Sequence, residues 1–332
     1  ANNLKCLGIV GYNNMDTYKT NGSIASIFKT ENPHKYFKGK IITNIEMVVT
    51  AKGLTSKIDG FSYYGHRLDI LLFDYDPAVL EKTSFFDEKE KEKSWLNDLN
   101  KFIEKCELAG IKMPATSDFI YDGLPVNFVS QWFRMFKNDE AYNALVEQKL
   151  GRPIISASDL IRNFTTDPSG ILFFEQELMP GLPSVLKLAK HLNCKVAIAH
   201  PAHMNLRFDY VDYITSLIEY SNSSDEFMPI KYVEADYMLN CLEETEAVVS
   251  LAKKLNLKLV GGSDMQCIKE MFYIDPVTNL KTLYEPKPGF AIKKYLETNN
   301  GDILVSEDII KDLRDVSDFD IYKKKFENKR KI

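Results

Sequence analysis

The sequence predicts an α/β fold, with parallel strands that carry helices on their outer side as an open sheet or a barrel, and with a mainly helical insertion between two halves. Three observations predict it. Strand-like and helical patterns alternate in the second half, residues 1–76 read as strands, and the texture between them changes to helical stripes.

In the second half, the apolar run Lys195-Val196-Ala197-Ile198-Ala199 is followed by Tyr210, Ile214, Leu217 and Ile218 at helical spacing. The unit repeats: Tyr232-Val233-Glu234 precedes Ala247, Val248, Leu251, Ala252 and Leu255, and the stretch from Lys258 to Gly262 closes as another strand. Before the insertion, Leu7 to Val10, Ile41 to Val49 and Asp69 to Phe73 read as strands. Residues 1–76 and 186–332 are therefore expected to form one discontinuous domain, with 77–185 as the insertion. Within it, the charged run Asp87 to Lys93 reads as the solvated face of a helix whose stripe is Trp95, Leu96, Leu99, Phe102, Ile103 and Cys106. Phe128, Val129, Trp132, Phe133 and Phe136 make a second stripe, either the insertion's own core or a lid that stacks a base.

The formal net charge of −5 gives no global positive field, so no stable binding of duplex nucleic acid is expected; nucleic acid could be handled only through a local site. No stretch reaches the ~18 uninterrupted apolar residues of a membrane helix, and the polar opening is no signal peptide, so the expectation is a cytoplasmic protein with no membrane partner. Five scattered cysteines without a CxxC pair read as buried free thiols rather than as a disulfide framework or a zinc ribbon.

Ligands of parallel α/β folds sit at the carboxyl ends of the strands, and there the sequence places its chemistry. Two of the five histidines follow an apolar strand, in Ala199-His200-Pro201-Ala202-His203. The next strand end offers Glu234, and the one after it Gly261-Gly262-Ser263-Asp264. Glu46 lies inside the apolar strand Ile45 to Val49, where an ionised carboxylate needs a partner or a metal. Imidazole with carboxylates and no thiolate points to a mixed N/O site for a divalent Zn, Mn or Fe ion. A single buried His or Glu is more often a satisfied core group; it is the succession of strand-end candidates that supports a shared ligand set.

Several segments, in order, resemble the PHP (polymerase and histidinol phosphatase) superfamily, most closely its nucleotide-directed phosphoesterase branch. Leu7 to Asn14 is similar to the strand that in the family ends in Thr-Asp-His, and Ile42-Thr43-Asn44-Ile45-Glu46 to its Pro-Gly-Val-Glu strand. Asp69 to Asp76 is in register with its His-Ile-Leu-Gly-Tyr segment. Ala199-His200-Pro201 matches its Ala-His-Pro motif, Gly262-Ser263-Asp264-Met265-Gln266 resembles Gly-Ser-Asp-Phe-His, and Gly151-Arg152-Pro153 resembles a Gly-Arg-Pro-His segment of the insertion.

The resemblance implies a distorted (β/α)7 barrel that holds metal ions at its carboxyl end, with Glu46 bridging metals, His200 ligating one and Asp264 another. Tyr12 and Gln266 stand where the family has histidines, and Asp69 stands where it has a third. Asp69 can still serve as a ligand, whereas His66, three residues earlier, faces the other side of a regular strand. The family's opening His-x-His strand has no counterpart, so the chain either continues upstream of Ala1 or lacks those ligands. One or two ions are what the visible residues support.

Three readings of function follow. The first is a metal-dependent phosphoesterase acting on nucleotides or short oligonucleotides, with Glu46, His200 and Asp264 as catalytic centre and Arg152, His203 and Arg207 holding phosphate. The second is a catalytically silent PHP-like module that binds a phosphorylated ligand or a partner. The third is a β/α-barrel amidohydrolase.

Overall fold

The structure, a computed structural model, describes residues 6–12, 22, 33–35, 37–56, 58, 63, 66–124, 126–203, 210–237, 242–262, 272–274, 281–283 and 307–322. The chain divides into two compact units, one of Ala1–Met47, Asp69–Glu81 and Leu186–Ile332, the other of Val48–Leu68 and Lys82–Val185.

The first unit is built on a six-stranded sheet of order β1-β2-β3-β4-β5-β6. The strands are β1 (Cys6–Tyr12), β2 (Lys40–Thr50), β3 (Arg67–Phe73), β4 (Lys195–Ile198), β5 (Tyr232–Tyr237) and β6 (Lys258–Gly262). β1 runs parallel to β2, and β4, β5 and β6 run parallel to one another. A small hairpin-like pair, Phe272–Ile274 with Lys281–Leu283, makes a separate antiparallel sheet. The fold is therefore mixed α/β, and all six strands of the main sheet lie at segments the sequence marks as strands.

β3 departs from the all-parallel expectation. It is antiparallel to β4, with Ile70 opposite Ile198 and Phe73 opposite Lys195. β3 thus runs in the reverse sense to β4, β5 and β6. This inversion decides where Asp69 goes: near the start of its own strand, it lies beside the carboxyl end of β4.

The sheet buries Ile42, Leu71, Phe73, Ala197, Ala199 and Tyr232 in one cluster with Ile309 and Leu313 from the carboxyl-terminal segment. Phe73 meets Tyr232 edge to face at 5.1 Å. Helices Tyr210–Ser221 and Leu242–Leu255 contribute buried Tyr213, Ile214, Leu217, Val248 and Ala252, and the second of them lies against β5 and β6. Asp74 ends β3 in the left-handed region at φ 63°. Its amide donates to Thr43 O at 2.9 Å, and its buried carboxylate accepts from the Lys195 ammonium and, at 3.0 Å, from Arg314 Nε. One carboxylate thus ties the end of β3 to the start of β4 and to the carboxyl-terminal segment.

The second unit is mainly helical: α1 (Glu88–Leu108), α2 (Asn127–Lys137) and α3 (Glu140–Leu150). Asp87 caps α1 by accepting from Lys89 N–H at 2.9 Å, Asp139 caps α3 through Tyr142 N–H at 3.0 Å, and Gly151 closes α3 in the left-handed conformation at φ 79°. Trp95, Leu99, Phe102 and Cys106 of α1 are buried with Phe128, Val129, Trp132 and Phe136 of α2. Phe102 packs edge to face on Trp132 at 5.3 Å, and Trp132 on Phe136 at 4.9 Å. The aromatics are the insertion's own core, not a base-stacking lid. Leu96, which the spacing assigns to the α1 stripe, is 43% exposed, because it sits ~100° around the helix from Trp95.

Segment 48–68, which the apolar pattern places with the barrel half, clusters with the helical unit, whereas 77–81 stays with the sheet. Thr50 donates its N–H to Pro180 O at 2.9 Å and bridges Gly181, and Val48 joins the aromatic cluster. Main-chain pairing outside the apolar pattern sets that boundary. Asp98 is buried in α1 and accepts from the N–H groups of Glu177 at 2.7 Å and Leu178 at 2.9 Å. Burial pushes its carboxyl up to about 6 against the pull of those donors.

Two substitutions separate core from surface. Trp132→Ala should destabilise by roughly 3–5 kcal/mol, and Leu96→Ala by less than about 0.5 kcal/mol, both read from urea unfolding. Similar losses for the two would contradict the packing described.

Candidate metal centre

The site assembles from three neighbouring strands of the first unit. Glu46 occupies β2 between buried Ile45 and Met47 and is only 8% exposed itself. Asp69 is carried by β3, and its main-chain O accepts the Ala199 N–H at 2.9 Å, extending the antiparallel β3–β4 pairing past the end of β4. His200 follows one residue later, before Pro201, where the strand cannot continue.

These three residues offer one ligand atom each within 4.8 Å of one another. His200 Nε2 lies 3.4 Å from Glu46 Oε1 and 3.7 Å from Asp69 Oδ2. The side chains of His200 and Glu46 are 13% and 11% exposed, against 28% for Asp69, so the group opens to solvent mainly on the Asp69 side. Behind His200, its main-chain N–H donates to Glu234 Oε2 at 2.7 Å. Glu234 is buried on β5, next to a register shift in the β5–β6 ladder.

Electrostatics favour positive charge at this point. Burial alone would lower the His200 pKa, but the hydrogen bond to Glu46 and the charges of Asp69, Glu234 and Glu46 outweigh it and push the imidazole up to about 9. The folded-state pKa is thus above the ordinary 6.5, so this contribution to stability is fully present below about 6.5 and is lost as pH rises through about 9. The carboxylates ask for positive charge, and without another source the imidazole supplies it by holding a proton.

A divalent cation fits the same demand. The donor set is one imidazole nitrogen with carboxylate oxygens, suited to Zn, Mn or Fe. Ligand atoms 3.4 and 3.7 Å apart match two donors each about 2.1 Å from a shared ion.

The structure brings together Glu46, Asp69 and His200 of the predicted residues. His66 and Arg152 belong to the other unit. His66 donates its main-chain N–H to Tyr63 O, and its carbonyl accepts from Ala51 N–H. Arg152 forks Asp159 at 2.6 and 2.9 Å and lies over the Phe164 ring at 4.8 Å. Tyr12 pairs in register with Glu46, and its side chain, the side chain of His203, and Arg207, Asp264 and Gln266 lie outside the described residues. Glu234 is the residue whose contribution the sequence leaves unspecified: its strand-end position is visible, its hydrogen bond to the His200 main chain is not.

No family model matches the chain, and no curated protein does. Among solved structures, one described as a metal-dependent phosphoesterase from Bifidobacterium adolescentis aligns at TM-score 0.45 and 14% identity, over 94% of this chain and 85% of that one. An amidohydrolase from Chromobacterium violaceum, solved with bound sulfate and no metal, aligns at TM-score 0.46 and 15% identity, over 80% and 78%.

Because the imidazole is protonated at neutral pH in the free site, Zn binding at pH 7.5 should release about one proton. Calorimetric titrations in buffers of different ionisation heat measure this directly. Binding without proton release would contradict the charge state assigned to His200.

Proposed function

We propose that the chain is a metal-dependent hydrolase of phosphate esters, acting on nucleotides or short oligonucleotides. The observation that carries the reading is the convergence of Glu46, Asp69 and His200 from three strands within ligating reach of one point. The resemblance of the Ala199-His200-Pro201 and Gly262-Ser263-Asp264 segments to the phosphoesterase motifs supports phosphorus as the reacting centre, with Asp264 as our candidate for a further ligand.

Each residue has a distinct task. Glu46, the most enclosed of the three, would hold the cation through a carboxylate oxygen, His200 would supply the nitrogen donor, and Asp69, the most exposed, would be the ligand nearest solvent. When bound, a divalent cation supplies Lewis acidity toward the attacking water and neutralises charge on the phosphoryl oxygens. His203 and Arg207, which follow His200 in sequence, are our candidates for the remaining phosphate oxygens, an Arg fork being matched to them. Arg152, expected from the sequence to hold phosphate, is instead paired with Asp159 at 2.6 Å.

The test is hydrolysis of bis- and mono-p-nitrophenyl phosphate by metal-loaded protein. His200→Ala, Asp69→Asn and Asp264→Ala should each reduce turnover on the order of 100-fold or more. Cys106→Ser and Cys194→Ser should keep it, since both thiols are buried and burial pushes their pKa values up. Wild-type activity in His200→Ala, or cleavage of amides with none of phosphate esters, would overturn the reading.

A further inference from the structure

We propose that Glu234 is a positioning residue: its carboxylate grips the main chain of His200 and thereby aims the imidazole at Glu46 and Asp69. Its purpose rests on the metal-site reading above, but its geometry stands on independent observations.

His200 has φ +23°, a left-handed value that non-glycine residues seldom adopt and that persists only where the surroundings impose it. β4 pairs with β5 only as far as Ile198 opposite Val233, so the His200 N–H falls beyond the last rung and has to be met by something other than a strand carbonyl. Glu234, the residue after Val233, meets it at 2.7 Å, the length of a charge-assisted bond.

The sequence of β5 makes this possible. Glu234 pairs with Val260 and Asp236 with Gly261, so Ala235 is an extra residue on the β5 side. A bulge of this kind locally re-aims side chains. Tyr232, Val233, Glu234 and Ala235 are all buried, so the carboxylate of Glu234 is enclosed with them. A buried carboxylate needs donors, and the His200 N–H is one that the fold leaves available to it.

The consequence is that loss of the Glu234 oxygen frees the turn at His200, whereas loss of its charge alone does not. Glu234→Gln keeps an acceptor oxygen at the same reach; Glu234→Ala removes it. Selective 15N-histidine labelling suits a chain with five histidines, and the His200 amide is assigned by its absence in His200→Ala. In metal-free full-length protein, the His200 amide should exchange slowly in wild type and in Glu234→Gln and at least about tenfold faster in Glu234→Ala. Zn affinity should fall about 10–100-fold in Glu234→Ala, as for the loss of other groups that orient a metal ligand. It should recover to within a few-fold of wild type in Glu234→Gln, and Glu234→Ala should add no further loss in the His200→Ala background.

Equal amide exchange in all three proteins overturns the proposal, whether or not metal binds. So does equal weakness of the Gln and Ala variants, or an undiminished effect of Glu234→Ala when His200 is already absent. Failure of wild type to bind Zn, with the amide result as expected, would instead sink the metal-site reading and leave the main-chain clamp in place.

Discussion

Carboxylates cannot gather in a buried hollow unless positive charge gathers with them, and the first unit of this protein is arranged around that constraint. Glu46, Asp69 and Glu234 all bear on His200, two through its ring and one through its main chain. Isolated ionised carboxylates are among the most costly groups to bury. Here they are carried by β2, β3 and β5, where His200 after β4 lies close enough to answer them. The elevated pKa of His200 measures how strongly the site favours positive charge.

The backbone supplies the convergence through departures from regular structure. β3 runs against its neighbour β4, which turns the first residues of that strand toward the carboxyl end of β4 and so delivers Asp69. His200 takes a left-handed φ immediately before a proline. β5 carries a bulge directly after Glu234. A regular parallel sheet would satisfy the apolar pattern equally well and would carry Asp69 away from His200. At the other end of β3, Asp74 draws Lys195 and Arg314 together and fixes the starts and ends of the strands whose opposite ends bear the ligands.

Much of this is legible in the sequence. Strand-end residues announce themselves, because an apolar run that stops at His-Pro, or that carries an isolated Glu, places a polar group where burial is costly without a partner. Glu46 and His200 stand out on that ground alone. The helical insertion is equally plain from its aromatic spacing. What periodicity cannot carry is direction and pairing. The reversal of β3 leaves its alternation unchanged, and the allocation of residues 48–68 to the helical unit depends on main-chain bonds such as Thr50 to Pro180. Leu96 shows the limit of a stripe read by eye, since one step along a helix turns a side chain out of the core. The Glu234 bond escapes for a further reason: its donor is an amide, and amides carry no mark in the residue alphabet.

An anomalous-scattering crystal structure of the protein grown with Mn or Zn probes the shared cation site without an intermediate assay. A peak coordinated by Glu46, Asp69 and His200, at roughly 2.0–2.2 Å from their ligand atoms, is the expected result. Density centred away from these three side chains, or no anomalous peak between them with His200 still within about 3.5 Å of Glu46 in saturating metal, would contradict it.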